Sequence, residues 1–165
     1  MVIFRKNIAG ASERALARFV SRAQRAAGLR GRVDVVVTTS RELRDLNRRF
    51  RRKDHPTDVL SFPAAPTSDD DFEGDIAISG DIAQDNAKLL GHTAAEELRI
   101  LALHGLLHLA GYDHERDHGE MARKEARLRR DLNLPETLIA RTSSAAVPAA
   151  GPPARRRRYV RRQVR

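Results

Sequence analysis

The chain has no cysteine. That excludes a disulfide framework and thiolate metal ligands, and it fits a reducing cytoplasm, the expected localisation. The start, Met1-Val2-Ile3-Phe4-Arg5-Lys6-Asn7, has no apolar stretch of leader length, so no secretory signal is expected. The longest apolar run is interrupted by His104 and His108 and is too short to span a bilayer. No membrane partner is expected. There is no internal repeat, which excludes solenoid architectures. At 165 residues the chain has the length of one domain with a real core.

Acidic residues are scarce at both ends, and this shapes the charge. Residues 1–53 hold 15 Lys and Arg against 4 Asp and Glu, whereas residues 54–97 hold 1 against 11. Residues 155–165 contain seven Arg and no acid. The net charge of +9 and the pI near 11.0 therefore owe most to the tail. Bulk basicity is weak support for nucleic-acid binding; a basic surface built by the N-terminal third is better support.

Local patterns predict the elements. Ser12 can cap a helix through Leu16, Phe19, Val20, Ala23 and Ala27, ended by Gly28. Val33 to Thr39 is β-branched and reads as a strand. Ser40 can cap a second helix carrying Leu43, Leu46 and Phe50 among Arg41, Arg44, Arg48, Arg49, Arg51, Arg52 and Lys53. Pro56 forces an extended turn before a short strand, Val59 to Phe62. Residues 64–73 read as a solvated acidic loop without calcium-loop spacing. A strand follows from Gly74 to Ser79, then a helix from Asp81 to Leu90 stopped by Gly91. Thr93-Ala94-Ala95-Glu96 is a capping box that opens an apolar helix. The last helix is expected from Glu115 to Asp131. An α+β domain fits, with a small mixed sheet covered by helices. The domain is placed at residues 1–140. Residues 141–165 read as a disordered Pro/Ala linker and Arg-rich tail.

The chemistry concentrates in His104-Gly105-Leu106-Leu107-His108-Leu109-Ala110-Gly111-Tyr112-Asp113-His114. His104 and His108 are four residues apart, so a helix points them the same way. Gly111 can take the left-handed conformation that ends the helix, letting His114 return toward them. Three imidazoles at one point suit a single tetrahedral Zn2+ whose fourth position is left for water. Core histidines are the competing reading, and three at this spacing argue against it. The spacing matches the metzincin peptidases, except that Gly105 stands where their general-base Glu belongs. His118 is a weak substitute ligand, and His55 and His92 are expected at the surface. Gly105 costs about 1 kcal/mol in a helix relative to Ala, which suggests close backbone approach. Asp113 either accepts the free N–H of a ligand His or is a turn residue.

This motif resembles the signature of the YbeY family, the metal-dependent endoribonucleases of ribosomal RNA maturation. Two more segments carry the resemblance: Leu46 to Pro63, with Lys53-Asp54-His55-Pro56-Thr57-Asp58-Val59-Leu60-Ser61-Phe62-Pro63, and Gly74 to Ser79. It spans about residues 33–134. It implies a sheet of about four strands with the metal helix packed on it. It implies a single-strand-specific, zinc-dependent endoribonuclease acting on the 3′ end of 16S ribosomal RNA and in ribosome quality control. The partners implied are ribosomal RNA and the small ribosomal subunit. Arg51 stands where the family's Arg stands, and its planar fork could neutralise charge at phosphorus. It is otherwise one surface cation among seven. On this reading Arg51 and the water activated beside His114 are catalytic. Either that water or the RNA's own 2′-hydroxyl attacks.

Two alternatives compete: a metallopeptidase-like zinc hydrolase, opposed by Gly105, and a non-catalytic zinc-containing ribosome-binding module, opposed by the missing fourth ligand. The tail is expected to seek polyanions and raise affinity without choosing the cut site.

Overall fold

The computed structural model describes residues 1–65, 71–135 and the backbone of 145–146. The elements run β1 (Val2–Phe4), α1 (Glu13–Ala27), β2 (Arg32–Thr38), α2 (Ser40–Arg51), β3 (Val59–Pro63), β4 (Phe72–Ser79), α3 (Gly80–Leu90), α4 (Ala94–Leu109), α5 (Glu120–Asp131) and β5 (Ala145–Ala146). The sheet order is β1-β2-β4-β3-β5, parallel throughout except for the antiparallel β3/β4 pair. This is the α+β fold with a small mixed sheet that the sequence predicts. Four strands belong to the body, and the two residues of β5 run along the outer edge of β3.

The two faces of the sheet follow the strand period of two. Val33, Val35 and Val37 of β2 share a face with Ile76 and Ile78 of β4, and this face meets α1 and α4. The other face carries Val36, Leu60, Phe62 and Ala77, packed with Leu43 and Leu46 of α2. Twelve of the sixteen residues of α4 are buried. A helix apolar on all sides belongs inside a domain, so α4 is the central helix. Among the described residues, no helix is long and apolar enough to cross a membrane.

Caps set the helix starts. Ser12 accepts from the Ala15 amide, and Thr93 and Glu96 form the full capping box of α4. In α2 the cap is Thr39 rather than Ser40: its hydroxyl accepts from the Glu42 amide. α5 begins at Glu120, five residues later than its composition predicts. The preceding residues are held in turns by two aspartates. Asp113 Oδ1 accepts from the Glu115 amide, and Asp117 accepts from the Gly119 and Met121 amides. Gly119, at φ 82°, then redirects the chain into the helix.

His92 departs from its expected surface position. Its side chain is 5% exposed, and Nε2 lies 2.7 Å from Glu97 Oε2. Glu97 is fully buried on α4 and also accepts from Asn86 Nδ2 at 3.2 Å. This cluster joins the end of α3 to the start of the central helix. The domain boundary at 140 and nearly all of the tail lie outside the described residues.

Candidate metal centre

Helix periodicity puts His104 and His108 on one side of the last turns of α4. Ala110 closes the helix, and Gly111 takes φ 89°. That left-handed residue costs glycine little and turns the chain back across the helix end. The turn brings His114 to the other two rings. Its ring centroid is 5.4 Å from that of His104 and 5.2 Å from that of His108. One ring nitrogen from each of the three histidines lies within 4.8 Å of the others. His104 and His108 are buried, while His114 is half-buried, so the cluster is open on the His114 side.

Hydrogen bonds orient the rings. His104 Nδ1 lies 2.8 Å from Glu125 Oε2, and His108 Nδ1 lies 3.1 Å from the Tyr112 carbonyl oxygen. An ionised carboxylate and a carbonyl only accept, so each Nδ1 carries the proton. Burial, and then the charges of His104 and His114, push the His108 imidazole down to about 4, so it is neutral at pH 7. Both Nε2 atoms face one point and stand 3.2 Å apart. What such a point accepts is a proton or a cation. The separation is close to the ~3.3 Å edge of a tetrahedron with metal–nitrogen bonds of 2.0–2.1 Å. His114 Nδ1 is also buried and without a hydrogen-bond partner. The donor set therefore fits a divalent ion bound by imidazole.

Glu125 is the residue that sequence reasoning missed. It projects from α5, and Arg129 Nη2 donates to its other oxygen, Oε1. Burial alone would raise this carboxyl. The hydrogen bond from His104 and the charges of His104 and Arg129 outweigh burial and hold it at about 2. Asp113 sits beside the cluster, but its carboxylate serves the Glu115 amide and lies 3.5 Å from Arg116. Among the described residues, the carboxylate hydrogen-bonded to a ring of the cluster is that of Glu125.

Arg51 ends α2 with a side chain only 9% exposed. Its Nη2 lies 3.8 Å from Oε1 of Glu115, the residue after His114. The structure thus brings Arg51 to the loop that carries the third imidazole. His118 and His55 are exposed, and neither belongs to the three-histidine group.

Gly105 faces the sheet. A Cβ there would lie 2.9 Å from Ile76 Cγ2 and 3.0 Å from Ser61 Oγ, and the Ser61 hydroxyl donates to the Gly105 carbonyl at 3.1 Å. A glutamate at this position would be driven into β3 and β4. The packing that brings α4 onto the sheet thereby removes the peptidase's general base.

Comparisons with known proteins point to one family. The family described as endoribonuclease YbeY matches residues 3–133. A protein named endoribonuclease YbeY from Koribacter versatilis is 60% identical over 150 residues, covering 91% of this chain and 97% of the relative. Its namesake from Solibacter usitatus is 46% identical over 143 residues, covering 87% and 95%. The solution structure of TM1509 from Thermotoga maritima is similar, with a TM-score of 0.55 and 31% identity, covering 80% of this chain and 89% of that one.

Proposed function

The chain belongs to the endoribonuclease YbeY family, and from that premise we propose that it is a metal-dependent endoribonuclease, a hydrolase that cuts internal phosphodiester bonds of single-stranded RNA. The observation that carries the reading is the convergence of three imidazoles beside a little-exposed arginine.

His104, His108 and His114 would hold one divalent ion. An all-imidazole set without cysteine favours Zn2+. Such an ion supplies Lewis acidity, polarising a phosphoryl oxygen and acidifying water. The protein's own groups do the rest. The Nδ1–H groups of His104 and His108 are held by the acceptors behind them, which leaves their Nε2 atoms toward the ion, and the half-buried side of the cluster leaves room for substrate. Arg51 binds the scissile phosphate through its fork and stabilises charge as phosphorus becomes five-coordinate. Its side chain is already ordered between α2 and the His114 loop, so little freedom is lost on binding. A phosphate would take the place that Glu115 now shares.

The substrate class at finer grain is the 3′ end of 16S ribosomal RNA, with a role in ribosome quality control. The partner is the small ribosomal subunit and the compartment is the cytoplasm. Family membership and the basic N-terminal third support this reading.

A fluorogenic single-stranded RNA and a casein digest, each with and without chelator, test the proposal. RNA is cleaved, chelator stops it, added Zn2+ restores it, and casein stays intact. His108→Ala loses tight metal binding and cleavage together. Intact RNA beside one bound ion per chain would make the protein a zinc-containing binding module. Digested casein would make it a peptidase.

A further inference from the structure

We propose that Glu125 and Arg129 are a positioning pair for the metal centre. Glu125 fixes the orientation and tautomer of His104, and Arg129 fixes Glu125. The inference rests on the metal reading above, but its subject is a pair of residues on α5 outside the ligand motif.

Both oxygens of the carboxylate are used. Oε2 accepts from His104 Nδ1 at 2.8 Å, and Oε1 accepts from Arg129 Nη2. Glu125 and Arg129 are four residues apart on one helix, with side chains 13% and 8% exposed. Burying a carboxylate and a guanidinium is expensive, and two apolar residues of the same volume would hold α5 against α4 as well or better. An i,i+4 pair is complete without a third member, and the third member here is a ring of the cluster, 21 residues away on another helix.

The contact also separates the two helical ligands. His108 has a backbone carbonyl behind it, which sets the tautomer but brings no charge. His104 has an anionic acceptor behind it, which sets the tautomer and makes Nε2 more basic. Arg129 holds the carboxylate so that only Oε2 turns to the ring. His104 is therefore the stronger, better oriented donor of the pair.

The test is metal affinity, measured on the full chain with Zn2+ against a chromogenic chelator and with Co2+ by its visible bands. Glu125→Ala should weaken binding about 10–100-fold, the usual cost of losing such a partner. Glu125→Gln keeps a carbonyl that can accept the Nδ1 proton but loses the charge. It should fall between Ala and wild type and shift the Co2+ bands. The double variant E125M/R129M removes the buried charges together. It should fold, by circular dichroism and thermal melting, and still bind weakly. Folded variants that bind within about twofold of wild type, with unchanged Co2+ bands, overturn the positioning role and leave the ribonuclease reading standing. Wild-type protein that takes up neither ion removes the centre, and the role of Glu125 with it.

Discussion

Arg51 Nη2 lies 3.8 Å from Glu115 Oε1, on the loop that carries His114, and the role proposed for the arginine rests on that placement. A surface arginine would be solvated, whereas this one is nearly covered and points at the loop of His114. Replacing it by Lys keeps the charge and loses the planar fork. Single-turnover cleavage should fall about 10²–10³-fold, with metal content unchanged by atomic emission. Unchanged cleavage would return Arg51 to the surface. The imidazoles were legible in the sequence because their geometry is local. Spacings of four and six residues around Gly111 describe a helix face and a turn back onto it. Glu125 was not legible. Its only mark in the sequence is an i,i+4 relation to Arg129 in a helix crowded with charge, and that pattern usually means a solvated face. Asp113 shows the converse. The sequence leaves it between a ring contact and a turn, and in the structure its carboxylate accepts from the amide two residues on.

At the scale of elements, α4 and the sheet touch through Gly105. An alanine there gains about 1 kcal/mol of helix propensity but drives a methyl against Ile76 and Ser61, an overpacking cost of about 1–3 kcal/mol. Gly105→Ala should therefore lower stability by about 1 kcal/mol, read from the urea midpoint; a variant as stable as wild type would mean that the strands yield. A second junction lies at Asp81, in the first turn of α3. Its carboxylate pairs with Lys6 at 2.9 Å and accepts from the Ser40 amide at 2.7 Å. The Lys6 hydrogen bond, followed by that amide, holds its pKa below the ordinary value. A folded pKa below the unfolded one stabilises at pH above about 4, and the gain is lost as pH falls through the lowered value. Asp81→Asn should thus melt lower than wild type at neutral pH, and the gap should close in acid. A gap that is the same at both would sink the assignment. The caps and apolar periods made α1, α3 and α4 readable. β1 was not, because three residues show no alternation and gain their strand character only from the neighbouring β2.

For the whole molecule, charge is the organising fact. The first 53 residues are strongly basic, the next 44 strongly acidic, and the last eleven carry seven arginines. Ala145 and Ala146, which precede the arginines in sequence, pair with Leu60 and Ser61 of β3. Seven guanidiniums without an acid cannot neutralise one another, and on the proposed function RNA is the polyanion they would meet. Contacts to phosphate release counterions but read no sequence. The tail should therefore govern how tightly and how salt-dependently RNA binds, while the proposed metal centre would decide where it is cut. Ending the chain after Pro148 removes the arginines and spares the β3 pairing. If all seven engage a single strand, the slope of log K against log salt should flatten by about 5 on truncation, from roughly 0.7 per phosphate. Metal content and cleavage at saturating RNA should persist, because His104, His108, His114 and Arg51 all lie in the body. A salt titration of RNA binding by the two chains reads the difference. Equal slopes would make the tail a solubilising appendage, and loss of metal on truncation would make it part of the fold.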